Sequence, residues 1–577
     1  MKGLSLLAAA AVVGQVAIAD PYVADQSRNV TYKGLSRNGV EVFLGIPYGQ
    51  DTGGENRFKP PRPSTPTAGS TITAQSYGHA CPQQLTESGD DPFARTAVTD
   101  ISEDCLNLVI GRPGGTTRDS RLPVMIWIHG GSFWSGQNRE ITAQPDGLVL
   151  ESLQNGLPII NVAINYRLGF FGFAQSDALE AEGSENAGLR DQRLAIEWVR
   201  DHIDQFGGDP ENITIFGQSS GGLAVGMQIM AYGASTPVPF QRAICESQAL
   251  EPGITGNFTI DAMQLLVDAV GCNTSSLHSG ETVACLRGFE METLLNASIA
   301  TYASDISHNV GDIWLPVVDG DFLPAAPSQL IEEGKFANIT TMIGWCEDDL
   351  TFFTDTAITT DQDSHDFIQA YVPDMTSDNV DALLSLYPVA EFPANEAANL
   401  SSEFYRTARA FRDILMTCQP MFYAEKLARL GNDVFLYDWN QTISDQILLG
   451  AYNETGFGVI HTSDKEYVFG NLSAFYTDQY PLHFAPADWA LESRGSRSWS
   501  TFASTGKPTL EGGNTFENFT IAYPPGSNET YIFVAGGPGE GLSAIDGPDS
   551  RPAVAMQSLR ERCAFINSKE IIEQLKY

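Results

Sequence analysis

Short unbroken apolar runs alternate with longer amphipathic ones through the middle of the chain. Residues 123–129 (PVMIWIH) are apolar until Gly130-Gly131 stops them, and residues 158–166 (PIINVAINY) repeat the form. Neither run alternates with polar residues, so both predict strands buried on two faces. Residues 186–205 then place Leu189, Leu194, Ile196, Trp198, Val199 and Ile203 at helical spacing. Residues 212–216 predict a third strand, with a helix over 219–230 directly after it. Further strands are expected at Arg242–Glu246, Thr340–Cys346, Val434–Trp439 and residues 531–534. Buried strands alternating with helices predict an α/β fold: a large, mostly parallel central sheet with helices on both faces. Ligands of such sheets bind at the carboxyl ends of the strands.

Nothing inside the chain divides it. There is no internal repeat, low-complexity tract or long charge run, and Pro60-Pro61-Arg62-Pro63 is too short for a linker. Residues 20–577 are therefore expected to form a single domain. Residues 1–19 read differently. Lys2 gives a positive start, an apolar stretch follows, and Ala17-Ile18-Ala19 is a small-x-small cleavage site. This predicts a signal peptide and a secreted, extracellular protein. The stretch is short for a bilayer span, and the end of the chain has neither a hydrophobic GPI tail nor an ER-retention signal, so no stable membrane anchor is expected.

Charge narrows the partners. Asp and Glu number 71 against 33 Lys and Arg, a net charge of −38. Such a surface repels nucleic acid and anionic membranes. Glycosylation sequons stand at Asn29, Asn212, Asn257, Asn273, Asn296, Asn338, Asn399, Asn440, Asn453, Asn471, Asn518 and Asn528, as an exported glycoprotein would carry. The 8 cysteines form no CxxC pair. A zinc site is therefore not expected, and in an exported chain disulfides are the default.

Candidate chemistry begins at Gly217-Gln218-Ser219-Ser220-Gly221, which matches G-x-S-x-G between an expected strand and an expected helix. Glycine at both ends permits a turn too tight for Cβ atoms and lifts the Ser219 hydroxyl above the sheet. A serine hydroxyl attacks only when a base takes its proton, and the base needs an acid behind it, in the chain order Ser, acid, His. His461 and His483 stand late enough to qualify. His461 follows apolar Gly458-Val459-Ile460 and precedes polar Thr462-Ser463-Asp464, as at a strand-end loop. His129-Gly130-Gly131-Ser132 follows a buried strand and has the form of an oxyanion loop, with the Ser220 N–H as a further donor.

More motifs surround these. They are Gly45-Ile46-Pro47-Tyr48, Arg57-Phe58, Ser102-Glu103-Asp104-Cys105-Leu106, Asn165-Tyr166-Arg167-Leu168-Gly169 and Asn186-Ala187-Gly188-Leu189-Arg190-Asp191-Gln192. Last comes Phe206-Gly207-Gly208-Asp209-Pro210, which runs on to the turn at Ser219. In this order they resemble the cholinesterase/type-B carboxylesterase family, which includes secreted lipases, from about Val42 to about Phe565. The resemblance implies the α/β-hydrolase fold and a catalytic triad of Ser219, Asp349 and His461. The acid falls on Asp349 in the run Gly344 to Phe353, where many members have Glu; Glu347 and Asp348 are the competing carboxylates. The oxyanion donors would be Gly131, Ser132 and Ser220. Ser132 departs from the usual Gly, and Gln218 stands where many members have Glu. The implied disulfides are Cys81–Cys105, Cys272–Cys285 and Cys418–Cys563. A fourth, Cys245–Cys346, is expected from their places near the ends of strands that neighbour each other in the family's fold, with two buried thiols as the alternative.

The implied reaction is acyl transfer from a small-molecule ester, which needs no cofactor or metal. Within the family, carboxylesterase ranks before lipase, and cholinesterase a distant third. The Cys81–Cys105 loop has no Trp to hold a quaternary ammonium, and Phe93 is its one aromatic residue. It is short and polar where a lipase carries a longer apolar lid. A non-catalytic binding or adhesion protein is the remote alternative, opposed by the intact triad.

Overall fold

The computed structural model describes residues 20–87, 94–248, 253–305, 313–476 and 481–577. The signal-peptide expectation and Phe93 lie outside the described residues.

Among the described residues, eleven strands form the main sheet. In chain order they are β1 (Leu35–Arg37), β2 (Val40–Pro47), β3 (Asn107–Pro113), β4 (Leu122–Ile128), β5 (Ile160–Ile164) and β6 (Gly208–Gln218). Then come β7 (Arg242–Glu246), β8 (Thr340–Cys346), β9 (Val434–Trp439), β10 (Tyr531–Ala535) and β11 (Gly541–Ala544). Their spatial order is β11-β10-β9-β8-β7-β6-β4-β5-β3-β2-β1. The strands from β5 across to β10 pair in parallel, and antiparallel strands close both edges. The expected strands are thus the parallel centre. A separate three-stranded sheet pairs Tyr22–Asp25, Val30–Lys33 and Thr71–Thr73.

Each central strand feeds two cores. In β4, Val124, Ile126 and Ile128 enter one apolar cluster while Met125 and Trp127 enter the other. Side chains alternate across a strand, so a fully apolar sequence needs a cover on each side. Helices α1 (Ala187–His202) and α2 (Ser220–Met230) cover one face, through Leu189, Ile196, Val199, Leu223 and Met227. Helix α3 (Pro486–Thr505) covers the other, through Leu491, Trp499 and Phe502.

The same alternation corrects one expectation. Cys81–Cys105, Cys272–Cys285 and Cys418–Cys563 are bridged, but Cys245 and Cys346 are free and buried. Strands β7 and β8 do neighbour each other, yet Cys245 stands opposite Ile343, not Cys346. The odd offset sends the two thiols to opposite faces, Cys245 into one core and Cys346 into the other. A disulfide cannot cross the sheet. Burial pushes both thiols upward, so they stay protonated and unreactive in the native protein. Thiol titration of the unreduced protein should find two thiols in denaturant and none in the native state. Finding none in denaturant would contradict this arrangement.

Candidate active site

Ser219 sits between β6 and α2 with φ 62° and ψ −129°. This is a left-handed backbone for a residue with a side chain, costing on the order of 1–3 kcal/mol. The surroundings hold it there. The Ser219 N–H donates to the Glu246 carbonyl at 2.9 Å. A Cβ on Gly221 would stand 2.2 Å from the Ile128 carbonyl, and one on Gly217 would stand 2.6 Å from Gly221. Both flanking glycines are therefore required by close approach to β4.

The loop after β4 faces this turn. Gly130 lies so close that a Cβ there would be 2.9 Å from the Ser219 Cβ. Gly131, Ser132 and Phe133 all have positive φ, at 111°, 55° and 53°. Two of these carry side chains, so the loop needs pinning. The Phe133 N–H donates to Ser220 Oγ at 3.1 Å, and the Trp134 N–H donates to the Gly131 carbonyl at 2.8 Å. His129 supports the base of the loop. Its Nδ1 lies 3.0 Å from the Gly130 carbonyl, and its ring stacks on Tyr166 at 4.5 Å. Burial pushes His129 down to about 4, so it is a neutral prop. Ser220 opens α2, where the first N–H groups have no partner within the helix.

His461 reaches the same place from the opposite side. Its Nδ1 lies 2.6 Å from Asp349 Oδ1. Asp349 is fully buried. Its other oxygen accepts from Ser247 Oγ at 3.0 Å and from the Cys346 N–H at 2.8 Å. The competing carboxylates point elsewhere. Asp348 accepts from the Val459 N–H at 3.1 Å and faces Arg409, and Glu347 bonds Asn440. His483 is exposed and pairs with Gln446. Ser247 was not legible as a site residue, because a serine after a strand carries no pattern of its own. Nor was Asp464, which is buried beside this group and bonded by the Tyr437 hydroxyl at 2.8 Å.

Ser219, His461, Gly131 and Ser132 line one cavity of about 440 Å³. Trp127, Trp134 and Phe353 give it an apolar side; Gln83, Thr86 and Gln137 give it a polar one. The polar side belongs to the Cys81–Cys105 loop and its anchors. Gln83 makes a two-point contact with the Gly136 backbone, and Gln137 donates to the Thr96 carbonyl at 3.1 Å. A larger hollow of about 800 Å³ lies behind the acid loop near Arg409 and does not reach Ser219. No group of metal-ligating side chains occurs among the described residues.

The profile described as the carboxylesterase family matches residues 27–534. The chain belongs to the carboxylesterase family, and by class it is a carboxylic-ester hydrolase. A secreted lipase of Arthroderma benhamiae is 53% identical over 562 residues, covering 97% of each chain. The inactive carboxylesterase-like protein VdtD of Byssochlamys spectabilis is 38% identical over 514 residues, covering 85% of each. Among solved structures, EstA of Aspergillus niger has a TM-score of 0.75 at 24% identity, over 97% of this chain and 99% of that one. The shared fold is the α/β-hydrolase fold.

Buried acids give the protein a definite pH response. Burial pushes Glu466, Asp438 and Glu185 up to about 8 and Glu492 up to about 7. In the unfolded chain these groups release their protons near pH 4. Between those limits the folded state binds more protons, so stability falls as pH rises from about 4 to about 8. His129, pushed down to about 4, opposes this only below about pH 6.5. The melting temperature should therefore be higher at about pH 6.5 than at about pH 8.5. An equal or lower value at the acid end would contradict the burial of these carboxyls as acids.

Proposed function

We propose that the protein is a secreted serine carboxylic-ester hydrolase working through Ser219, His461 and Asp349. The observation that carries this reading is the buried 2.6 Å contact between His461 Nδ1 and Asp349, with His461 and Ser219 lining one cavity. Asp349 fixes the tautomer that leaves His461 Nε2 as a proton acceptor. Ser219 Oγ attacks the ester carbonyl carbon while His461 takes its proton. The N–H groups of Gly131, Ser132 and Ser220 stabilise the oxyanion, a term worth about 3–4 kcal/mol per donor in related chemistry. His461 returns the proton to the leaving alcohol. Water, deprotonated by His461, then attacks the acyl-Ser219 carbonyl and releases the acid.

Export belongs to the same proposal, together with removal of residues 1–19 and a single catalytic domain over 20–577. Support comes from the relative named as a secreted lipase and from three disulfides. Among the described residues no helix is long and apolar enough to cross a membrane. Nine sequon asparagines are exposed, leaving half-buried Asn212, Asn440 and Asn471, whose amides are bonded into the fold.

The polar wall of the cavity favours soluble esters of small or medium size. A second reading, hydrolysis of water-insoluble acyl esters, is favoured by the secreted lipase relative and by Leu85, Ile141 and Phe353, which are large, apolar and exposed near the cavity. One experiment addresses chemistry and substrate together. Hydrolysis of p-nitrophenyl esters of increasing chain length is measured above and below their solubility limits, for the wild type and Ser219→Ala. The wild type should be fastest on dissolved short chains with no jump at the limit. Ser219→Ala should lose at least about a thousandfold in rate while melting at the wild-type temperature. A jump at the limit would select the second reading, and a fully active Ser219→Ala would overturn the first.

A further inference from the structure

The residue just before the nucleophile has a part in the site that Ser219, His461 and Asp349 leave open. Gln218 ends β6 and is 3% exposed. Its side-chain nitrogen lies 3.1 Å from His461 Nε2 and 3.5 Å from His461 Nδ1. Near-equal reach to both ring nitrogens places the amide against the ring, not at the tip of one lone pair.

An amide both donates and accepts. Its N–H suits the neutral ring, and its carbonyl suits the ring after proton transfer. A glutamate of the same length would only accept, and it would carry charge. It would therefore favour the imidazolium at every stage, including the resting stage, where the ring must be free to take a proton.

The other charges around His461 make this difference matter. Asp349 bonds Nδ1 from the acid loop. Asp464, on the loop of His461 itself, is pushed up to about 6 by burial and then by the charge of Asp349. Glu246, at the end of β7, is pushed well up by burial and then by the charge of Asp464. Lys465 lines the same cavity. Above about pH 6, Asp464 thus adds a carboxylate beside the one already bonded to Nδ1, against one lysine. A third carboxylate in ring contact would hold the proton on His461.

We infer that Gln218 is a positioning residue that keeps His461 in its proton-accepting form, extending the working range of the site toward acid. This rests on the triad reading above. The test is the pH dependence of kcat/KM on a soluble p-nitrophenyl ester. It compares wild type, Gln218→Glu and Gln218→Met, each with and without Asp464→Asn to remove the other group that titrates there. Gln218→Glu should move the acid limb up by about one pH unit or more in both backgrounds, the usual effect of an opposite charge at this range. Gln218→Met, which takes the amide N–H away from the ring, should move the limb in the same direction but by less.

A limb that stays or moves down in Gln218→Glu overturns the inference. So does a shift lost in the Asp464→Asn background, or a Met variant that moves the limb as far as Glu does. A second measurement covers a variant too slow to assay. The low-field proton resonance between His461 Nδ1 and Asp349 should persist to higher pH in Gln218→Glu than in wild type, and an unchanged midpoint overturns the inference. A wild type that hydrolyses no ester would defeat the triad reading alone; a hydrolysing wild type with unmoved midpoints would defeat this one alone.

Discussion

The hydrogen bond between His461 and Asp349 organises the carboxyl edge of the sheet. It joins the loop that leaves β8 to the loop that follows the helix Ser444–Tyr452, and both loops are lashed together by backbone. The His461 N–H donates to the Asp349 carbonyl, and the Asp348 N–H donates to the Val459 carbonyl. Aspartate is a short acid, so the imidazole reaches it only if the two backbones approach this closely. A Cβ on Gly458 would come within 2.1 Å of the Asp348 carboxylate, which is why glycine stands there. Ser247 and the Cys346 N–H complete the acid from the sheet side. The position of the acid is thus set from the ends of strands β7 and β8, and the base is tied to the acid through backbone.

Strain and rigidity answer each other on the nucleophile side. Ser219, Ser132 and Phe133 occupy left-handed backbone positions. Such positions persist only where neighbours over-determine them. Here the neighbours are the end of β4, the start of α2 and the stacked His129–Tyr166 pair. The loop that would receive the oxyanion is therefore built before any ester arrives, the condition under which backbone donors act most strongly.

Much of this was legible in the sequence, for a physical reason. The central strands are buried on both faces, so their apolar runs stand out, and the turn at Gly217–Gly221 is marked by glycines that geometry demands. The edge strands β1, β2, β3 and β11 were not read. They sit where the sheet turns antiparallel, and the burial of β1 and β11 is only partial. The Cys245–Cys346 expectation failed because proximity of two strands was read without the parity of side chains along them. Ser247 and Asp464 stayed hidden because their significance lies in contacts that only the folded sheet creates. Bare residues also left His461 and His483 both open, with local context favouring His461, and the resemblance settled on His461, the histidine that contacts Asp349.

The central claim is that Ser219 is a nucleophile activated by His461. Its most direct test is labelling of the native protein with a fluorescent organophosphonate, followed by peptide mapping. A single adduct on Ser219 is expected, lost when His461 is replaced by alanine. An unlabelled wild type, or an adduct on another serine, would contradict the account.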